Sequence, residues 1–314
     1  MNTILLSQEI CPEARALMDG RAHVVLPKAS GQEAFEEALP LADALILRTN
    51  VRLTYTAAEK AKRLQIVCRT GVGVDNVDLD ACKEFGILVA NTPDANTESV
   101  VEHTVSLALA LSKQLIRYDH AVREENWMLR SNCISREICG KTIGIVGYGR
   151  IGRRVAQVFR DAFGMTVLAY DPFIHSKSNE AGVKIVSNIC EIFSAADIVS
   201  IHCPSTPQTR GIIDKELLRL AKPGLILVNC ARGDIVVERD LIEALRDGSV
   251  GGAGLDVFQQ EPLVADNPLC GMENVILTPH MAALTKESSI KVAMQAVKQA
   301  LIKLEGGMPP NLVQ

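Results

Sequence analysis

Between Lys141 and Asp171 the sequence runs through an apolar strand, a glycine-punctuated turn, a helix, a second strand and a terminal acid, an order few folds accommodate. Thr142-Ile143-Gly144-Ile145-Val146 has the continuous apolar character of a buried parallel strand. Gly147-Tyr148-Gly149-Arg150-Ile151-Gly152 follows it as G-x-G-x-x-G. In this pattern Gly147 permits the tight turn, Gly149 lets a pyrophosphate approach the backbone, and Gly152 lets the helix pack closely on the strand. The helix N-terminus adds unpaired N–H groups and a positive dipole end. A second strand, Thr166 to Tyr170, delivers Asp171 nineteen positions past Gly152, where a carboxylate accepts from a ribose 2′-hydroxyl. Pro172-Phe173-Ile174 follows rather than Arg or Lys, and a carboxylate there repels a 2′-phosphate, so the expected cofactor is NAD rather than NADP. Taken alone, G-x-G-x-x-G also serves other nucleoside sites and plain turns, and Asp171 also suits a turn before Pro172. The whole strand-helix-strand-acid register makes dinucleotide binding the preferred reading.

With 314 residues, 47% of them apolar, the chain can bury two cores, and length alone suggests two domains with a cleft between them. A net charge of −4 supplies no basic field to hold nucleic acid or an anionic membrane. The nine cysteines never form C-x-x-C, and Cys68, Cys203 and Cys230 are read as lying within apolar strand-like runs. That favours reduced thiols in a cytoplasmic protein over disulfides or a bound metal. The N-terminal residues read as a first strand rather than a signal peptide, and no apolar run reaches the roughly 18 residues that span a bilayer.

Before residue 98, strands are expected at 3–6, 23–26, 44–48, 64–68 and 87–90, with helical patterns at 31–38 and 56–63. From residue 141 the pattern restarts, with strands at 142–146, 166–170, 184–186, 197–201, 225–229, 252–255 and 274–277. The fold class is therefore α/β: two Rossmann-like or flavodoxin-like doubly wound parallel-sheet domains. Between them, 98–112 reads as a helix apolar on most faces, and hence buried against both domains or a partner. The polar segment 117–139, carrying the only Trp, Trp127, reads equally as a surface loop or a dimer arm. A helix at 287–304, stopped by Gly306-Gly307, suggests a return to the first domain. The expected division is 1–97 plus 288–314 for a substrate domain and 98–287 for the NAD domain.

Three polar sites follow later strands, where ligands gather in open α/β sheets. Arg232 ends Leu225 to Ala231, with Gly233 giving room to turn, and its planar fork suits a substrate carboxylate. Glu261 follows Leu255-Asp256-Val257-Phe258, and His280 follows Val275 to Pro279. Imidazole can give and take a proton near neutral pH, and an adjacent carboxylate favours its protonated form and fixes its tautomer. Singly, each also suits a surface ion pair or a solvated loop; together behind a dinucleotide fingerprint they read as hydride-transfer machinery.

These blocks, with Arg69-Thr70-Gly71-Val72-Gly73-Val74-Asp75-Asn76-Val77-Asp78, resemble the D-isomer-specific 2-hydroxyacid dehydrogenases over essentially the full length. The resemblance is strongest to D-3-phosphoglycerate dehydrogenases in a short form without C-terminal regulatory domains. It implies Arg232, Glu261 and His280 as the catalytic set. It implies NAD contacts at Gly147, Gly149, Arg150, Ile151, Gly152, Asp171, Cys203, Pro204, Cys230, Ala231, Arg232, Asp256, His280, Ala282 and Ala283. Substrate would meet Val72 and Gly73, whose backbone N–H groups form an anion nest, together with Arg232 and His280, while Arg48 would meet a distal phosphate. Where formate dehydrogenases of the superfamily carry Gln, this chain has Glu261. Where the family commonly has glycine after the histidine, it has Met281-Ala282-Ala283. The implied substrate is a small 2-hydroxy or 2-keto acid, most simply 3-phosphoglycerate, and the implied assembly a homodimer. Alternatives are a glyoxylate, hydroxypyruvate or broad 2-keto acid reductase and, more remotely, an NAD-sensing corepressor.

Overall fold

The computed structural model describes residues 1–132, 135–174 and 182–313, so Cys133 of the 117–139 segment lies outside it. The chain divides into two compact units, Met1–Thr97 with Ala283–Gln314, and Glu98–Ala282. The second crossing thus falls after Ala282, where the sequence reading puts it after residue 287.

The first unit holds five parallel strands, β1 (Thr3–Leu6), β2 (His23–Val25), β3 (Ala44–Leu47), β4 (Ile66–Arg69) and β5 (Leu88–Ala90), in the order β2-β1-β3-β4-β5. Period-two alternation splits their side chains between two cores. Leu5, Leu45, Val67 and Val89 pack with Phe35 on one face, and Ile4, Leu6, Ile46 and Cys68 pack on the other with Ala293, Val297 and Leu301 of the helix Lys286–Leu304. Both faces are covered, which is why these strands read as continuous apolar runs. Each such fully buried Leu or Ile contributes about 1.5–3 kcal/mol. Gly306, at φ +88°, follows the end of the C-terminal helix as its composition predicts.

The second unit holds seven parallel strands: β6 (Thr142–Val146), β7 (Thr166–Tyr170), β8 (Val183–Val186), β9 (Ile198–Ile201), β10 (Leu225–Asn229), β11 (Val250–Leu255) and β12 (Val275–Leu277). Their order is β12-β11-β10-β9-β6-β7-β8. The chain leaves β6 towards β7 and later returns to β9 on the opposite side, which makes the β6/β9 boundary the topological switch point. The helix Thr97–Lys113 belongs to this unit from Glu98 onward and lies on β11, where strand glycines admit it. A Cβ on Gly254 would stand 3.0 Å from Leu107 Cβ, and one on Gly252 3.4 Å from a Leu111 methyl.

Two readings need correction. The helix is not buried all round: Val100, Val101, Thr104, Leu107 and Ala108 form one inward face, while Glu102 and Ser106 are exposed. Apolar residues outnumber those the sheet can cover, so composition overstated its burial. Cys203 and Cys230 lie just beyond β9 and β10 rather than within them, because the strands end where side chains reach the crevice. The eight described cysteines are free. Among the described residues, no helix is long and apolar enough to cross a membrane.

Candidate active site

The fingerprint turn sits at the switch point, and its three glycines meet different surroundings. Gly147 adopts φ +94°, and a Cβ there would stand 2.4 Å from Cys203 N at the end of β9. A Cβ on Gly152 would be 2.1 Å from Gly147 O, so the helix Arg150–Phe163 can approach β6 this closely only without one. Gly149 is the reverse case, because nothing lies within 4 Å of where its Cβ would be. The helix above it has no side-chain N-cap. An open backbone at an uncapped helix N-terminus is the cradle a pyrophosphate requires, and these residues fit the cofactor. Arg150 is the exposed first residue of the helix, and Ile151 beside it is half-buried.

Asp171 ends β7. Its Oδ2 accepts from Tyr148 N–H at 2.9 Å and its Oδ1 from Phe173 N–H at 3.0 Å, which fixes the carboxylate beside the glycine turn. A carboxylate has about four acceptor sites, so capacity remains for a ribose hydroxyl. Cys203, just beyond β9, faces this turn, and Pro204 follows it. Burial raises the Cys203 thiol to about 11 and the Cys230 thiol to about 12, so both remain neutral thiols at physiological pH.

Three adjacent strands, β10, β11 and β12, present Arg232, Glu261 and His280 from their C-terminal ends. Asn229, 1% exposed, shapes the first of these loops: its Oδ1 accepts from Ala231 N–H and its Nδ2 donates to Arg232 O. Gly233 allows the loop to touch its neighbour, since a Cβ there would stand 2.0 Å from the backbone carbon and oxygen of Phe258. His280 Nδ1 and Glu261 Oε2 are 2.7 Å apart, and Phe258 N–H donates to Glu261 Oε1 at 3.1 Å. Burial is the largest influence on Glu261 and by itself raises its carboxyl. The hydrogen bond and charge of His280, the Phe258 N–H and the Arg232 charge together outweigh it and hold the group below its ordinary value. A depressed carboxyl stabilises the fold above its unfolded value and loses that contribution as pH falls through the lower folded value. Ionised Glu261 thus accepts from His280 Nδ1–H throughout the neutral range, leaving Nε2 for proton transfer.

His280 adopts φ +51°, a left-handed conformation costing roughly 1–2 kcal/mol for a non-glycine residue. Asp256, fully buried, compensates. Its backbone oxygen accepts from His280 N–H at 2.8 Å, its Oδ1 from Met281 N–H and its Oδ2 from Ala282 N–H, both also at 2.8 Å. Thr278 Oγ1 donates to the same Oδ1 at 2.6 Å. Asp256, implied as a cofactor contact, therefore spends most of its acceptor capacity organising the turn that carries His280. Ala282 is 4% exposed, so its extra methyl packs inward, whereas Met281 is 39% exposed. Ala283 begins the returning segment of the first unit. Sequence patterning singles out neither Asn229 nor His103, whose Nε2 lies 3.0 Å from Thr278 Oγ1. The one signal for His103 is an imidazole in a largely apolar helical run.

In the first unit, Arg48 follows β3 directly, and its Nη1 lies 3.4 Å from Glu9 O. Asn91 Nδ2 donates to Val72 O at 2.7 Å, and Gly71 turns at φ +145°. The N–H groups of Val72 and Gly73 meet no acceptor among the described residues, as an anion nest requires.

The family described as D-isomer specific 2-hydroxyacid dehydrogenase, NAD binding domain, matches residues 105–282. The D-3-phosphoglycerate dehydrogenase of Mycobacterium bovis is 39% identical over 311 residues, covering 99% of this chain and 58% of that protein. That of Bacillus subtilis is 42% identical over 275 residues, 87% of this chain and 51% of that protein. The chain thus spans little more than half the length of these curated relatives. D-lactate dehydrogenase from Aquifex aeolicus, solved with NAD and lactic acid, superimposes with a TM-score of 0.87 at 31% identity over 99% of both chains. The glycine cradle at the switch point, the acid ending β7 and these matches lead to one conclusion: the chain belongs to the D-isomer specific 2-hydroxyacid dehydrogenase family, and its second unit is the NAD-binding domain.

Proposed function

We propose that this protein transfers a hydride between NAD and C2 of a D-2-hydroxy or 2-keto acid, with 3-phosphoglycerate and 3-phosphohydroxypyruvate as the preferred pair. The observation that carries the reading is the 2.7 Å His280–Glu261 pair, placed with Arg232 at the ends of adjacent strands in an NAD-binding domain. When bound, the nicotinamide accepts or supplies the hydride. In oxidation, Arg232 holds the carboxylate while neutral His280 takes the hydroxyl proton at Nε2, and the Val72 and Gly73 amides are the anion nest of the first unit. In reduction, protonated His280 returns that proton to the carbonyl oxygen and Arg232 polarises it, each acting on charge that develops in the transition state. Glu261 keeps the ring oriented and its Nδ1 protonated. Among the cofactor contacts, Gly147, Gly149, Arg150, Ile151 and Gly152 serve the pyrophosphate and Asp171 the adenosine ribose. Cys203, Pro204, Cys230, Ala231, Ala282 and Ala283 line the remainder of the site.

Arg48 supplies the positive charge for a distal phosphate, and the phosphoglycerate dehydrogenases among the relatives support that choice. An NADH-oxidation panel of 3-phosphohydroxypyruvate, hydroxypyruvate, glyoxylate and pyruvate tests it. Selective turnover of the phosphorylated acid, lost in Arg48→Ala, is expected. Equal turnover of all four would replace this assignment with a broad 2-keto acid reductase.

For the cofactor, Asp171→Ala is expected to lower the NAD-over-NADP ratio of kcat/KM by roughly 10- to 100-fold, the worth of a charge-assisted hydrogen bond. An unchanged ratio would remove Asp171 from cofactor selection. Exposed Leu115, Ile116, Val122, Trp127 and Met128 support a homodimer formed through residues 98–140, and the free thiols support a cytoplasmic setting.

A further inference from the structure

His103 projects from the helix Thr97–Lys113, with a side chain 17% exposed. Its Nε2 is 3.0 Å from Thr278 Oγ1 and 3.6 Å from Asp256 Oδ1. Thr278 has one hydroxyl hydrogen, and it is donated to Asp256 Oδ1 at 2.6 Å. Thr278 Oγ1 can therefore only accept from the ring, which requires hydrogen on His103 Nε2. The direction of the whole chain follows: His103 N–H to Thr278 O–H to the Asp256 carboxylate.

That carboxylate is where the turn bearing His280 is anchored. Three consecutive N–H groups, those of His280, Met281 and Ala282, end on the backbone oxygen, Oδ1 and Oδ2 of Asp256 respectively. Oδ1 takes donors from both Thr278 and Met281, so its orientation depends on Thr278, and the Thr278 hydroxyl is oriented in turn by His103. We infer that His103 is a positioning residue for His280, holding the left-handed turn in register through Thr278 and Asp256 without touching substrate. The inference rests on the dehydrogenase reading above, since it concerns the placement of that reaction's acid and base. Small displacements of a reacting group are costly, and networks of this kind act as a unit.

The test has a spectroscopic arm and a kinetic arm. In long-range 1H–15N spectra of the cofactor-free protein at alkaline pH, His103 is expected as the Nε2–H tautomer; the Nδ1–H tautomer would overturn the inference. In NADH-dependent reduction of the best 2-keto acid of the panel, His103→Leu is expected to lower kcat roughly 10- to 100-fold. NADH affinity by fluorescence titration should be unchanged. His103→Gln, whose amide N–H can reach the same hydroxyl, should restore most of the loss. Thr278→Val should match His103→Leu, and the double variant should be no worse than either single one. Wild-type kcat in His103→Leu, equal impairment of the Leu and Gln variants, or additive losses would each overturn it. Should His103→Leu not fold, the tautomer and the Gln and Thr278→Val kinetics still decide. If the wild type reduces no 2-keto acid while the Nε2–H tautomer is seen, the dehydrogenase reading falls and the positioning role with it, but the order of the hydrogen bonds stands.

Discussion

Replacing His280 with Ala is expected to lower kcat by about two to four orders of magnitude, the usual worth of a positioned general acid-base group, with NADH affinity intact. The separation follows from where the residue sits. Its ring is held at Nδ1 by Glu261, 2.7 Å away at the end of β11, whereas the pyrophosphate cradle lies at the β6/β9 switch point, on other strands of the sheet. Loss of the imidazole removes the proton donor for reduction and the acceptor for oxidation and leaves the glycine turn untouched. Single-turnover rates with titration of NADH fluorescence check both halves. Near-normal turnover would sink the assignment of His280, and a parallel loss of cofactor affinity would show that the ring serves binding instead.

Gly233→Ala is expected to destabilise the second unit by about 3 kcal/mol or more, beyond the usual range for overpacking. The added methyl would stand 2.0 Å from the carbon and oxygen of the Phe258 peptide and 2.6 Å from Gln259 N. These are backbone atoms, which cannot rotate aside as a side chain would. Relief requires the loop after β10, which carries Arg232, to move away from the loop after β11, which carries Glu261. Activity should therefore fall with stability. Urea denaturation followed by circular dichroism, with kcat/KM on the same samples, measures both, and a variant unchanged in midpoint and rate would show that the two loops do not meet as described.

The strands were legible to within a residue or two because both faces of these sheets are covered, which leaves uninterrupted apolar runs such as Ala44–Leu47 and Leu225–Asn229. The glycine fingerprint was legible for a related reason. Gly147 and Gly152 answer to backbone atoms close in sequence or on a neighbouring strand, and no other residue fits those positions. Burial of the helix Thr97–Lys113 was misjudged, since composition counts apolar residues without knowing how wide a face the sheet can cover. The part Asp256 plays in the turn was not legible either, because three hydrogen bonds to its carboxylate come from residues 278–282, more than twenty positions along the chain.

What the sequence determined by itself is the set of parts: two runs of parallel strands, a dinucleotide turn ending in Asp171, and an arginine, a glutamate and a histidine each following a strand. Local chemistry suffices for these, because strand periodicity, glycine conformation and the sign of a side chain are properties of short segments. Only the tertiary structure decided which parts act on one another. Strand order makes Arg232, Glu261 and His280 neighbours, the absent Cβ of Gly233 lets two of their loops touch, and His103 reaches Thr278 across 175 positions of chain. Hydrogen bonds and steric contacts depend on distances of a few ångströms in space, and sequence separation carries no such distance until the sheet has been assembled.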